Sequence, residues 1–490
     1  MMKRDRTRWL AGVVAAIVMM LGAPPPAAAG QSQKQEPPKK KQKKEKKPKK
    51  PRAADVAEQP APDEPIDPQI DFGGKGPRVG WKQHPSFRVG SWFRLDYEMK
   101  MQEDGHASFP GAANFTPWEL HRNRVGVSGY VTKRVDFEVE YELTEKELQD
   151  KDIARGALPR SQWKDVDVNV HVLPTVAQVR AGKFKIPFGL DEMTGVTHSD
   201  FVYRSLGASY LDPARDIGVM VHGRVFKRGL NYWVGRFQHD GDNAQTHKEQ
   251  GGDNTVAARV TGAPLRVLHP VFKNLEIGGA IAVSDVSDQS FLKCDTLDCP
   301  NGLRGRTVVT QDFFFESVYV NGKRKRYEAD ADWTAGPVSA RAEYTLQLDN
   351  RIGEGTSNQT LSDARGRAWY LAGTWLVTGE KKKRPVKPES DLFLGGFGAV
   401  ELAARVERLW FDSVGDSGGV PYRSPRAIDI LPASDRVLTF GVNWMPNRFM
   451  KLQLNAIHEQ LDGLGDRQHA LTKPVPDQFW SKVVRFQLVL

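Results

Sequence analysis

From Ser86 onward the chain alternates apolar and polar residues with a period of two. Val135, Phe137, Val139, Tyr141 and Leu143 interleave with Asp136, Glu138, Glu140 and Glu142, and residues 165–172 read Asp-Val-Asp-Val-Asn-Val-His-Val. Successive side chains of a β-strand point to opposite faces, so each such segment has one apolar and one charged face. A charge at every second position cannot rest on a dry core. It can line a wet lumen while the apolar face meets lipid. The last segment carries Val484, Phe486, Leu488 and Leu490 on one face, with Arg485 and Gln487 between them. Such a strand needs a partner for its edge, and closure onto the first strand supplies one.

The alternation predicts sixteen strands: 86–101, 119–131, 135–145, 163–173, 176–186, 215–226, 229–240, 253–262, 274–286, 319–334, 337–349, 366–379, 398–411, 435–445, 449–461 and 479–490. The connections mostly alternate in length. Those at 132–134, 174–175, 227–228, 335–337 and 446–448 are short; those at 102–118, 146–162, 187–214, 241–252, 287–318, 350–365, 412–434 and 462–478 are long. Outer-membrane barrels show this pattern, with short periplasmic turns and long outer loops, and a soluble sandwich has no reason to. Two connections on the short side, 263–273 and 380–397, are longer than the rule. The expected fold is all-β, a transmembrane antiparallel β-barrel of about sixteen strands, with both termini in the periplasm.

Residues 1–29 read as a signal peptide: a basic start at Lys3, Arg4, Arg6 and Arg8, an apolar stretch from Trp9 to Gly22, and a small-residue cleavage site at Ala27–Ala29. Residues 30–76 are rich in Lys, Pro and Gln and read as a disordered, extended periplasmic tether. Residues 77–490 form the barrel domain. The formal net charge of +10 belongs to the first two regions: residues 1–29 carry about +3 and residues 30–52 about +9, which leaves the rest near −2. The basic balance therefore gives no support to a nucleic-acid-binding body. Residues 34–52 could touch an anionic polymer of the cell envelope, or act only as a solvated linker. Mean hydropathy is −0.51, and no stretch after residue 30 is apolar enough for a membrane-spanning helix. The two cysteines, Cys294 and Cys299, sit in one Gly/Asp-rich loop, either as a small disulfide or as free thiols.

Several stretches resemble the phosphate-selective porin O and P family. They are AGKFKIPFGLDEMTG from Ala181, DFVYRSL from Asp200, LDPARDIGVMVHG from Leu211, VNGKRKRYEADADW from Val320, WYLAGTWLVTGE from Trp369, GAVELAARVERL from Gly398 and the terminal RFQLVL. Their order covers most of 85–490, and Leu490 departs from the usual terminal aromatic. The resemblance implies a homotrimer of sixteen-stranded barrels in the outer-membrane lipid. It implies a third long loop folded inward as a constriction, and Arg and Lys along the pore for passage of anions such as phosphate or polyphosphate. That loop is 187–214, with Asp191, Glu192, His198, Asp200, Tyr203 and Arg204 inside it and Arg215 and Asp216 at its exit. No individual binding lysine of the family is carried over.

Strand parity puts Arg88, Arg94, Arg122, Arg124, Arg180, Arg224, Arg259, Arg326, Arg341, Arg405 and Arg485 on polar faces. Guanidinium never titrates in the working range and binds phosphate through a rigid fork, so a ladder of them could pass an anion along. Lys323, Arg324, Lys325 and Arg326 form a run near one strand end that could draw anions to the mouth. The same parity puts Asp96, Glu98, Asp136, Glu138, Glu140, Glu142, Asp165, Asp167, Asp330, Asp332, Glu343, Glu401 and Glu407 in the lumen. Pairing with these would turn the arginines into wall braces with little net field. Trp81, Trp92, Trp118, Trp163, Trp233, Trp333, Trp444 and Trp480 fall near strand ends, where an interfacial girdle would sit.

An enzyme would need a nucleophile and base held together, and no G-x-S-x-G, H-E-x-x-H or phosphate-cradling Gly loop occurs. No cofactor or metal set is indicated. The expected function is passive diffusion of small hydrophilic solutes through an outer-membrane porin, anions preferred. The alternatives are a general or cation-preferring porin, or a mainly structural barrel held to the cell wall by its basic tail.

Overall fold

The computed structural model describes residues 86–89, 93–110, 116–144, 162–226, 229–241, 254–267, 269–287, 303–415, 420–463 and 476–489; of 86–89, 93–100, 106–110, 116–119, 267, 287 and 316–317 it describes the backbone alone. The leader, the basic tether, Cys294 and Cys299, Trp81 and Trp92 lie outside the described residues.

Sixteen antiparallel strands close a ring. They are β1 (Phe93–Pro110), β2 (Thr116–Thr132), β3 (Val135–Glu142), β4 (Trp163–Leu173), β5 (Ala177–Lys185), β6 (Arg215–Val225), β7 (Leu230–Phe237) and β8 (Thr255–Gly262). The ring continues with β9 (Glu276–Ser287), β10 (Asn321–Ala335), β11 (Val338–Arg351), β12 (Leu361–Leu376), β13 (Ala399–Ser413), β14 (Ala433–Met445), β15 (Met450–Asp462) and β16 (Gln478–Val489). Each strand pairs with the next in sequence, and β16 closes on β1 with Ser481 opposite Pro110 and Val489 opposite Gln102. Closure leaves no free edge in the ring, the condition for crossing a bilayer with strands.

The first predicted strand is divided. Ser86–Val89 is a short arm paired with the start of β1, Arg88 opposite Arg94, and the ring strand begins at Phe93 and runs to Pro110. A second difference lies between β9 and β10. The expected featureless loop there contains a two-stranded hairpin, Leu303–Arg306 with Phe313–Val318.

The period of two sorts the faces. On β4, Asp165, Asp167 and Asn169 are buried inward while Val166, Val168, Val170 and Val172 are exposed outward. Val219, Val221, Val234, Val256, Ile281, Leu371, Trp375 and Phe440 continue this apolar outer band. Several tryptophans mark its rims. Trp163 and Trp480 are about half exposed near one set of strand ends. Near the other, Trp333 donates to the Val271 carbonyl and Trp444 to the Phe397 carbonyl. Trp233 instead lies in mid-strand, against an inward cluster with Phe184 and Phe237.

Candidate functional site

The lumen is filled on one side by three inserted segments. The first is the third long loop. It leaves β5 through Phe184, Ile186 and Phe188, all fully buried with Met220 and Phe237. Gly189 then turns the chain with φ of 75°, and a Cβ there would fall 1.9 Å from Asp212 Oδ2, so only glycine fits. Two short helices follow, Leu190–Met193 and Leu206–Tyr210, the second capped by the Ser205 hydroxyl, which accepts from the Ala208 amide.

The barrel wall holds this loop by its backbone. The Asp191 amide donates to Glu343 at 2.9 Å, the Val202 amide to Asn455 at 2.8 Å and the Leu206 amide to Glu407 at 2.6 Å. Arg405 donates to the Tyr203 and Arg204 carbonyls, and Lys451 to those of Thr197 and Ser199. Within the loop, Arg204 pairs with Glu192 at 3.1 Å and donates to the Asp191 and Thr194 carbonyls.

The second segment is the hairpin. Leu303, Val308, Phe314 and Phe315 pack with Leu206 and Leu211 of the loop and with Leu409 and Phe411 of β13. The Val308 amide donates to Glu459 at 2.8 Å. A signal was present in the run Phe313-Phe314-Phe315, too apolar for a solvated loop. The third segment is the overlong connection from β12 to β13. Its Lys382 is fully buried and bridges Asp200 of the loop, at 2.6 Å, and Glu401 of β13. Arg384 pairs with Asp332 at 3.0 Å and reaches Asp200 at 3.4 Å. Neither residue stood out in the strand pattern, although the run Lys381–Arg384 lies in a connection that broke the length rule.

The lumen arginines of this side meet wall carboxylates, the inserted loop or both. Arg259 pairs with Glu328 and Asp330. Arg324 pairs with Asp240 and Asp349, and Arg326 with Asp240 and Gln347. Arg405 pairs with Glu407 and lies over the Phe201 ring at 4.7 Å. Arg485 donates to the Val202 carbonyl and to Gln453. Arg341 binds Asp332 at 2.9 Å and Thr194 at 3.1 Å. The run 323–326 does not act as one patch. Arg324 and Arg326 are buried inward, while the alternate residues Lys323 and Lys325 are exposed on the outer face, Lys323 pairing with Asp285.

The wall from β2 to β5 is more open. Arg124 binds Glu140 and Glu142 at 2.8 Å each. Arg180 forms a fork with Asp167, both contacts at 2.6 Å. Arg122 lies 3.6 Å from Asp104, and Arg215 2.7 Å from Asp165. Arg224 is half-buried on β6 without an ion pair among the described residues. Arg88 and Arg94 sit on described backbone.

Where the loop, the third segment and the turn from β14 to β15 meet, they enclose a cavity of about 120 Å³. Its cationic lining comprises Lys383, Arg384, Arg448 and Lys451, with His198 beside them and Asp200 and Glu401 opposing them. Both carboxylates are occupied by Lys382. Lys383, Arg448 and Lys451 have no carboxylate partner among the described residues. Burial would raise the Asp200 pKa, but Lys382, Arg384 and Arg341 outweigh it and hold the carboxyl well below its usual range. Burial first, then Lys451, Arg384 and Arg341, push the His198 imidazole below its usual value. At neutral pH the cavity therefore gathers basic side chains around a neutral imidazole and a saturated carboxylate.

A closed barrel with an apolar outer band and a lumen narrowed by an inserted loop is the architecture of an outer-membrane diffusion channel. The model of the phosphate-selective porin O and P family matches residues 110–474, and the chain belongs to that family. Among solved structures it is similar to OmpT, an outer-membrane protein of Vibrio cholerae, at 12% identity and a TM-score of 0.49, covering 83% of this chain and 100% of that one. It is also similar to the anion-selective porin from Comamonas acidovorans, at 11% identity and 0.46, covering 81% and 100%. A third is the channel DcaP of Acinetobacter baumannii, at 9% identity and 0.46, covering 82% and 99%. No curated protein matches the chain.

Proposed function

We propose that this porin passes small hydrophilic solutes by diffusion and prefers anions, phosphate among them. The cationic cavity carries the reading. Three of its basic groups, Lys383, Arg448 and Lys451, make no ion pair among the described residues, and they stand beside the inserted loop. The family's name agrees with this preference. We further propose the trimer that the resemblance implies, and the leader and periplasmic tether that the sequence pattern supports.

One observation favours a cation-preferring channel instead. On the open wall Glu138 and Asp136 are about 30% exposed, 31% and 29%, more than the Arg180 and His171 side chains facing them. The decisive measurement is the reversal potential in planar bilayers under a KCl gradient, for the wild type and for Lys383→Gln/Arg448→Gln. Anion preference, phosphate block, and a permeability ratio that falls several-fold in the variant are expected. A cation-selective wild type would assign the lumen to its carboxylates.

A further inference from the structure

The outer face of β10–β14 carries a feature that diffusion through the lumen does not use. Lys325, Arg365, Arg367, Arg408 and Arg436 all lie on outward positions at the long-loop ends of their strands. The ring register lines them up in rows. Lys325 is opposite Leu348, which is opposite Arg365. The next row runs Tyr327, Leu346, Arg367, Trp410. The row after it runs Tyr344, Trp369, Arg408, Arg436. Beyond that the outer face is apolar, through Leu371, Val406 and Phe440.

Two like charges face each other directly in this collar. Arg408 is opposite Arg436, an arrangement that costs stability unless an anion lies between them. Asp412 neutralises Arg365 and Arg367, and Asp462 pairs with Arg436 at 2.9 Å. Arg408 has no carboxylate among the described residues. It donates to the Ser434 hydroxyl at 3.2 Å, and its buried Nε has no partner. The ring of Trp410 lies under both Arg367, at 4.8 Å, and Arg408, at 5.5 Å, fixing the guanidinium planes at the edge of the apolar band.

We infer that this collar binds the phosphate groups of an anionic glycolipid in the leaflet facing the long loops. The acyl chains would lie along Leu371, Val406 and Phe440, and the headgroup phosphates between Arg408, Arg436 and Lys325. A lipid headgroup fits better than a free ion because the cations stand at the boundary of an apolar surface wide enough for chains. A forked donor such as Arg408 recognises phosphate oxygens bidentately.

The test uses the purified full-length protein in mixed micelles, with diphosphoryl lipid A or phosphatidylcholine as probe and bound lipid read by mass spectrometry. Arg408→Gln/Arg436→Gln should retain lipid A about tenfold less than wild type, the equivalent of losing one charge-assisted contact. It should keep wild-type conductance and oligomeric state, and Arg408→Lys/Arg436→Lys should restore much of the binding. Equal retention by wild type and the Gln variant would overturn the proposal. So would displacement by millimolar inorganic phosphate, which would make this a free-anion site. Loss of the oligomer in the Gln variant without a lipid difference would assign the face to a protein contact.

Discussion

The lumen has two walls built on one rule, and they end in opposite states. Along β2–β5 some inward charges keep water: Arg180 is 27% exposed and Glu138 31%, although Asp167 between them is buried. Along β10–β16 equally charged inward faces are sealed: Arg405 is 4% exposed and Glu407 2%. Both walls pair Arg with carboxylate across neighbouring positions. The difference lies in what covers them, because the loop, the hairpin and the β12–β13 connection all lean on the second wall. An exposed ion pair is worth little and can exchange partners with a passing solute. A sealed pair is fixed, and removing one member strands a buried charge. One wall can therefore serve transport while the other serves as a mount.

The sharpest way to break this contrast is Lys382→Met. It leaves Glu401 buried without its cation and Asp200 with only Arg384 at 3.4 Å, a loss on the order of 3–5 kcal/mol for such a site. The expected outcome is a loosened loop inside an intact barrel, seen as larger and noisier single-channel currents with unchanged strand content by circular dichroism. Currents identical to wild type would show that the loop does not depend on this bridge.

A smaller effect comes from pH. The His198 pKa is depressed in the folded loop, so its contribution is fully present above the ordinary imidazole value of about 6.5 and is lost as pH falls through the lowered one. Asp200 is also depressed, and its contribution persists until pH falls below the ordinary carboxylate value of about 4. Between pH 7 and 5 loss of the His198 contribution should therefore help to loosen the loop. Current noise should rise on acidification in the wild type and rise less in His198→Gln. The smallest stability effect belongs to the open wall. Arg124→Gln should cost less thermal stability than the sealed Arg405→Gln, because its pairs with Glu140 and Glu142 keep partial solvent contact, and it should shift conductance more.

Much of the wall was legible because its physics is local. The alternation placed β15 at 449–461 against Met450–Asp462 and β16 at 479–490 against Gln478–Val489. Ends drifted where loops continue the ladder, as in β12, which begins at Leu361 rather than 366. The site was less legible because its contacts are distant in sequence. Parity separates Arg405 from Arg408 along β13, but the carbonyls that cover Arg405 belong to Tyr203 and Arg204 on an inserted loop. Lys382 lies in a segment without periodicity, and its role comes only from meeting Asp200 across the lumen. The Lys323–Arg326 run shows the converse error of reading adjacency as proximity, since a strand sends neighbours to opposite sides.

The wall glutamates that receive loop amides have a consequence for assembly. Glu343, Glu407 and Glu459 sit on β11, β13 and β15, and they accept from Asp191, Leu206 and Val308, partners 152, 201 and 151 residues earlier in the chain. The inserted segments are made first, but their seats are made late. The constriction cannot settle while the chain is still emerging, and it becomes definite only as the last strands close the ring. Closing the ring thus doubles as a checkpoint, because a barrel that stops short of its final strands would have a wide and unguarded bore.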